Sequence, residues 1–310
     1  MKLDLVEYQS IIESELSKVS ISSPNINKLI KYILNAKGKR IRPILSLITS
    51  KALGGTISDT ISSAIAIELI HNFTLVHDDI MDGDDMRHGV DTVHAKWDED
   101  TAILAGDALL AIAYSYLPHK KGITRKISNT LVEVCEGQLV DKRFEKQKKI
   151  TLEQYISMID LKTGKLLGLA SEMGAICAGY GKYTNQFKEF GILLGRAFQI
   201  QDDYLEIFSS TNAMGKSLSS DIFLGKKTYF LIKAIEIDEE KINGFLELAQ
   251  SDCDEAVILI RKFLADNSLD LEGKNLIANT IDLAYSKINQ LDIDLDEISE
   301  FVNYILNRNS

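Results

Sequence analysis

Apolar residues recur at three- and four-residue intervals along almost the whole chain, as in Leu5-x-x-Tyr8-x-x-Ile11-Ile12-x-x-x-Leu16. That is the period of a helix with one buried face. The strict alternation that marks a half-buried strand is essentially missing. Interruptions are short: Ser22-Ser23-Pro24, Gly54-Gly55, Pro118 to Gly122, Gly179 to Thr184, and Ser209 to Ser220. No low-complexity linker divides the chain, and no fixed-period repeat runs through it. The pattern predicts one all-helical domain over residues 1–310, built around a shared interior.

Composition supports this reading. Length alone, at about 150 residues per domain, would suggest two domains. Hydrophobic residues at 45% and charged residues at 26% supply a sizeable core and exclude a disordered chain. Average proline usage would give about fifteen prolines, whereas only Pro24, Pro43 and Pro118 occur. Proline breaks helix interiors, so its scarcity agrees with the helical period. The odd, widely spaced Cys135, Cys177 and Cys253 fit a reducing compartment better than a disulfide framework. Acids at Asp4 and Glu7 stand where a signal peptide needs an apolar stretch. No run of about eighteen apolar residues appears. A cytoplasmic protein without a membrane span is expected.

The formal net charge of −10 is unevenly distributed. Residues 1–230 carry 28 acids and 28 bases, and residues 231–310 carry 17 acids against 7 bases. The body is neutral and the last quarter acidic, so the sum does not exclude anionic ligands. The basic run Lys142-Arg143-Phe144-Glu145-Lys146-Gln147-Lys148-Lys149 has one aromatic and no recognition motif, and reads as a solvated helix end rather than a nucleic-acid surface.

Candidate chemistry concentrates in two acidic clusters. Asp78, Asp79, Asp82, Asp84 and Asp85 fall within eight residues, directly after an apolar segment. On a helix Asp78 and Asp82 are one turn apart and point the same way. Such a cluster is costly unless a cation compensates it, and Mg2+ does so through one or two carboxylates plus water or phosphate oxygens. Asp202, Asp203 and Glu206 repeat the spacing on another helix. Bases accompany both clusters: Lys39, Arg40 and Arg42 before an apolar helix, Arg87, Lys162 beside Thr163, Lys216, and Lys226 with Lys227. Gly215-Lys216-Ser217 is not a P-loop, because Ser210 stands where the earlier glycine is required. At about 100° per residue, His71, Thr74, Asp78 and Asp82 form one polar stripe on an apolar helix.

At these residues the sequence resembles the trans-isoprenyl diphosphate synthases, or polyprenyl synthetases. Gly38-Lys39-Arg40-x-Arg42-Pro43, Asp78-Asp79-x-x-Asp82 and Asp202-Asp203-x-x-Glu206 match that family's opening and two aspartate-rich motifs. Glu68-Leu69-Ile70-His71, Gly137-Gln138, Lys162-Thr163 and Phe198-Gln199 match in order. The resemblance covers about residues 28–230, and residues 231–310 share only helical character. It implies an isoprenoid-synthase-type helical bundle around a central cavity, with the aspartate motifs facing each other across its mouth. It implies Mg2+-dependent, head-to-tail condensation of isopentenyl diphosphate with an allylic diphosphate (dimethylallyl, geranyl or farnesyl), usually by a homodimer.

The same resemblance assigns roles. Asp78, Asp79, Asp82, Asp202, Asp203 and Glu206 would hold the ions. Arg87, Lys162, Lys216 and Lys226 would take the allylic diphosphate. Lys39, Arg42 and His71 would take isopentenyl diphosphate, with His88 where the family has a second arginine. Thr163 and Gln199 oxygens would stabilise an allylic cation. Glu206 replaces the usual third aspartate, and Asp91 a common proline. Phe73, five residues before Asp78, resembles the aromatic that stops archaeal-type synthases at C20. Helical arithmetic places Phe73 about 140° from Asp78, whereas Thr74 shares its face, so a kink or a neighbouring helix is required.

Farnesyl or longer-chain synthases of the same family would share these motifs. A terpene cyclase would need neither Lys39, Arg42 nor His71. A di-iron oxidoreductase would need a second Glu-x-x-His beside Glu68-x-x-His71. A non-catalytic synthase subunit would usually lose the aspartate motifs that here are nearly intact.

Overall fold

The computed structural model describes residues 4–36, 38–208 and 226–306. Helices dominate: α1 (Leu5–Lys18), α2 (Pro24–Leu34), α3 (Ile41–Ala52), α4 (Ile57–Asp82), α5 (Val93–Lys96), α6 (Glu99–Ser115), α7 (Ile123–Glu145), α8 (Leu152–Ile159), α9 (Lys165–Cys177) and α10 (Thr184–Phe208). After the segment outside the description come α11 (Tyr229–Ile237), α12 (Glu239–Leu248), α13 (Cys253–Asp266), α14 (Leu269–Ser286) and α15 (Asp296–Leu306). The all-α expectation holds.

Contacts divide the chain into two units, each assembled from separated segments. The first comprises Met1–Thr130, Leu169–Lys188 and Leu291–Phe301. The second comprises Leu131–Gly168, Glu189–Gln290 and Val302–Ser310.

In the first unit α4 packs mainly against α3 and α6. The middle of α4, from Ser63 to Ile70, is buried on every side, as a helix at the centre of a helical layer must be. Its start is fixed by a reciprocal capping box between Thr56 and Asp59. Gly83, at φ 70°, ends it, a left-handed conformation that glycine adopts without steric cost. The chain then forms a hairpin the hydrophobic pattern does not reveal, β1 (Met86–Arg87) paired with β2 (Val90–Asp91). Its turn residues His88 and Gly89 both have positive φ, 52° and 80°, as a tight two-residue connection requires. Strands of two residues are too short for a period to register.

The second unit has its own core, in which Tyr155, Ile200, Tyr229, Phe230, Ile242, Ile260 and Leu264 are buried together. Between α8 and α9 the helix widens into a π turn at Asp160–Gly164, where the Lys165 N–H reaches back to the Asp160 carbonyl. The Lys162-Thr163 motif is visible in the sequence, but the π turn that carries it is not. Among the described residues no helix is long and apolar enough to cross a membrane.

Candidate active site

The first unit gathers cations next to the first aspartate cluster. Arg42 NH1 donates to His71 Nε2 at 3.0 Å. Arginine has no acceptor, so His71 Nε2 accepts and its Nδ1 carries the proton. That Nδ1 is enclosed and meets no hydrogen-bond partner among the described residues, although part of the residue's surface is exposed. Burial, then Arg42, Arg87, Arg40 and His88, hold the imidazole well below its ordinary range, so it is neutral at physiological pH. The result is a neutral ring with one enclosed N–H that meets no hydrogen-bond partner among the described residues.

His88 sits on the hairpin turn. Partial enclosure, then the charges of Arg87, Arg40 and Lys39, lower its pKa as well. Lys39, Arg40, Arg42, Arg87, His71 and His88 therefore form one cationic neighbourhood. Arg40 is not open to an anion, contrary to its grouping with Lys39 and Arg42. It is 5% exposed, donates to Glu68 and Glu13 at 2.7 Å each, and satisfies the Leu34 and Ala36 carbonyls at the end of α2. Its partners lie too far along the sequence for spacing to reveal them.

The aspartates divide by helical face. Asp78 and Asp82 stay partly exposed, whereas Asp79, about 100° round the helix, is 4% exposed. Arg87 Nε donates to Asp79 Oδ1 at 2.5 Å. Burial pushes the Asp79 carboxyl up to about 6 even though Arg87 opposes the rise. Asp79 thus anchors the hairpin that carries Arg87 and His88. Thr74 donates to the His71 carbonyl at 2.8 Å, inside the stripe. Phe73 packs edge-on against His77, with ring centroids 4.8 Å apart, and His77 in turn presses on Gly106 of α6. The α4 helix is continuous from Ile57 to Asp82, so Phe73 and Asp78 belong to different faces of it. The neighbouring helix is α6.

The second unit shows the same division. Asp202 and Glu206 are partly exposed, and Asp203 is 5% exposed. Asp203 accepts from the Tyr155 hydroxyl at 2.6 Å, the Gln199 amide at 3.2 Å and the Tyr229 N–H at 3.2 Å. Burial and the Asp203 carboxylate raise the Tyr155 pKa far above the usual phenol range, so the phenol stays a donor. Thr163 donates to Gln199 Oε1 at 3.0 Å, which completes a chain Thr163–Gln199–Asp203. Lys162 pairs with Asp141 at 2.5 Å, and this partner has no signature in the sequence. Gly137 explains itself here: a Cβ would stand 2.5 Å from the Lys162 backbone nitrogen. Gln138 is 6% exposed and leaves both amide atoms without partners among the described residues. Lys226 lies just before α11, and Lys216 lies outside the described residues.

Among the described residues no three acidic, histidine or cysteine side chains converge into a ready metal cage.

Comparison with known proteins decides the class. The family model described as polyprenyl synthetase matches residues 23–263. The chain belongs to the polyprenyl synthetase family. The short chain isoprenyl diphosphate synthase of Methanothermobacter thermautotrophicus is 39% identical over 249 residues, covering 77% of each chain. The geranylgeranyl diphosphate synthase of Methanosarcina mazei is 36% identical over 272 residues, covering 85% of this chain and 83% of its own. A crystal structure of a geranylgeranyl pyrophosphate synthase superposes with a TM-score of 0.91 at 35% identity, covering 100% of both chains. This polyprenyl synthetase is an all-α trans-prenyltransferase, and the reaction class inferred from its motifs stands.

Proposed function

We propose that this prenyltransferase extends allylic diphosphates (dimethylallyl, geranyl, farnesyl) with isopentenyl diphosphate and releases geranylgeranyl diphosphate, C20. It would act in the cytoplasm, as a homodimer. The observation that carries the reading is the α4 stripe. There the His71 N–H, which meets no partner among the described residues, and the part-exposed Asp78 and Asp82 lie on one helix face, with Arg42 and Arg87 near His71.

Asp78, Asp82, Asp202 and Glu206 would hold Mg2+ directly, with Asp79 and Asp203 supporting them from the buried side. Bound Mg2+ supplies positive charge against the allylic diphosphate and its leaving oxygens. Arg87, Lys162, Lys216 and Lys226 add to that charge. The allylic C1–O bond breaks, and its electron pair leaves with pyrophosphate. Oxygens of Thr163 and Gln199 face the resulting cation. Lys39, Arg42 and the His71 N–H hold isopentenyl diphosphate so that its double bond attacks C1. The C–C bond forms, and a proton passes from the new chain to the departed pyrophosphate. Phe73 supports the C20 limit by resemblance, and the name of the Methanosarcina relative points the same way.

The test is mass analysis of products from each allylic primer with isopentenyl diphosphate and Mg2+. A C20 diphosphate is expected from all three primers. Products ending at C15 or beyond C20 would overturn the chain length. No elongation from any primer would overturn the substrate assignment.

A further inference from the structure

The π turn at Asp160–Gly164 carries Lys162 and Thr163, yet the motif matches name no residue that holds its shape. Such turns are rare and cluster at functional sites, because a ladder that shifts from i→i−4 to i→i−5 opens locally and frees backbone groups. A single inserted residue is also easily lost to a regular helix, which would rotate every later side chain by about 100°. Something must fix the register.

Two helices lie against this turn without intervening side chains. On α7, a Cβ at Gly137 would stand 2.8 Å from Lys162 Cα and 2.9 Å from the Leu161 carbonyl carbon. On α10, a Cβ at Gly195 would stand 2.7 Å from Gly164 Cα. The residue after Gly195 is Arg196, and it grips the first residue of the turn. Arg196 Nε donates to Asp160 Oδ1 at 2.8 Å, and NH2 donates to Oδ2 at 2.5 Å. Asp160 is also the residue whose carbonyl accepts the π-type bond from Lys165. Both side chains are about a quarter or less exposed, at 24% and 20%. An ordinary surface ion pair adds little, but a two-pronged arginine–carboxylate fork fixes orientation as well as charge.

We propose that Arg196 and Asp160 are a positioning pair. They would lock the π turn so that Lys162, the Thr163 hydroxyl and the neighbouring carbonyls keep their aim, and so decide whether the allylic cation is taken by isopentenyl diphosphate or by water. This rests on the prenyl-transfer reading. In the competing outcome the C1–O bond breaks as before, a water oxygen bonds to C1, and its proton goes to the released pyrophosphate. The products are then a prenyl alcohol and pyrophosphate. A site whose oxygens hold the cation close to its partner suppresses this path by positioning and by excluding water.

The experiment measures the ratio of prenyl alcohol to elongated diphosphate from geranyl diphosphate, isopentenyl diphosphate and Mg2+. It compares wild type with Arg196→Met, Asp160→Asn, Arg196→Lys and the Asp160→Asn/Arg196→Met pair. Arg196→Met and Asp160→Asn are expected to raise the ratio roughly tenfold, since misplacement by about an ångström is enough, with the KM for isopentenyl diphosphate little changed. Arg196→Lys keeps the charge and loses the fork, so it should fall between. The double variant should be no worse than either single one, because the two side chains act as a unit. A pair that only braced the helix would lower melting temperature and total turnover together and leave the ratio at the wild-type value, and that result overturns the proposal. Should Arg196→Met not fold, the ratio in Arg196→Lys decides. Failure of the wild type to elongate at all would instead overturn the prenyl-transfer reading.

Discussion

A neutral histidine among arginines is an uncommon choice, and at His71 its chemistry follows from a single hydrogen bond. Arg42 takes the acceptor nitrogen, which leaves Nδ1–H as a donor. Replacing His71 by Phe keeps most of the volume and removes that donor. Hydrogen bonds to charged groups are worth about 1.5–3 kcal/mol, so the KM for isopentenyl diphosphate should rise about ten- to a hundredfold. The KM for the allylic substrate should stay near wild type, and equal rises in both would place His71 elsewhere. His88 permits the opposite experiment. Its pKa is lowered by partial enclosure and the neighbouring cations, so it is uncharged at pH 8. His88→Arg should therefore lower the KM for isopentenyl diphosphate at pH 8, and the advantage should shrink as wild-type His88 protonates in acid. An advantage that is absent at pH 8 would exclude His88 from that contact. At this scale the sequence shows which residues matter but not how each is used. The acid-acid-x-x-acid spacing identifies Asp79 and Asp203, yet their partners Arg87 and Tyr155 are set by tertiary packing. Arg40 looks like a ligand base until Glu68 is found against it.

Elements were legible where the period is long. The α4 stripe of His71, Thr74, Asp78 and Asp82 can be drawn from 100° steps alone, and a helix running unbroken from Ile57 to Asp82 keeps it intact. The hairpin and the π turn were not legible, since one depends on two residues of positive φ and the other on one extra residue in a turn. Both matter, because they carry Arg87, His88, Lys162 and Thr163. Gly137 tests the fit around the π turn. Gly137→Ala puts a methyl against the Lys162 backbone, where no flexible side chain can yield. Overpacking of this kind costs about 1–3 kcal/mol, so a lower melting temperature and reduced turnover are expected; wild-type values for both would mean that α7 is not held against the turn. Phe73 tests the chain-length reading. Its ring is backed by His77, and His77 by Gly106 on α6, so the stack has little room to give. Phe73→Ala should lengthen the product beyond C20. An unchanged chain length on mass analysis would show that the limit is set away from this face of α4.

For the whole molecule, the net charge of −10 says little about the ligand, because the excess lies in residues 231–310, outside every motif. Local sorting of charge is what counts, and ligand-linked stability reports on it. Like charges one helical turn apart, as in Asp78 with Asp82 and Asp202 with Glu206, favour a shared cation. Mg2+ completes its shell most readily when phosphate oxygens are offered as well. Whatever binds only the folded chain raises its stability by RT ln(1 + [L]/Kd), about 2.7 kcal/mol at a hundredfold excess over Kd. For a chain of this size that is roughly 5 °C in melting temperature. Mg2+ together with inorganic pyrophosphate should therefore raise the melting temperature by about that amount. Mg2+ alone should raise it far less, and EDTA should remove the gain. Chelation should also abolish turnover. If pyrophosphate stabilised the protein equally in EDTA, the bases alone would be gripping the anion. The carboxylates of α4 and α10 would then need another role.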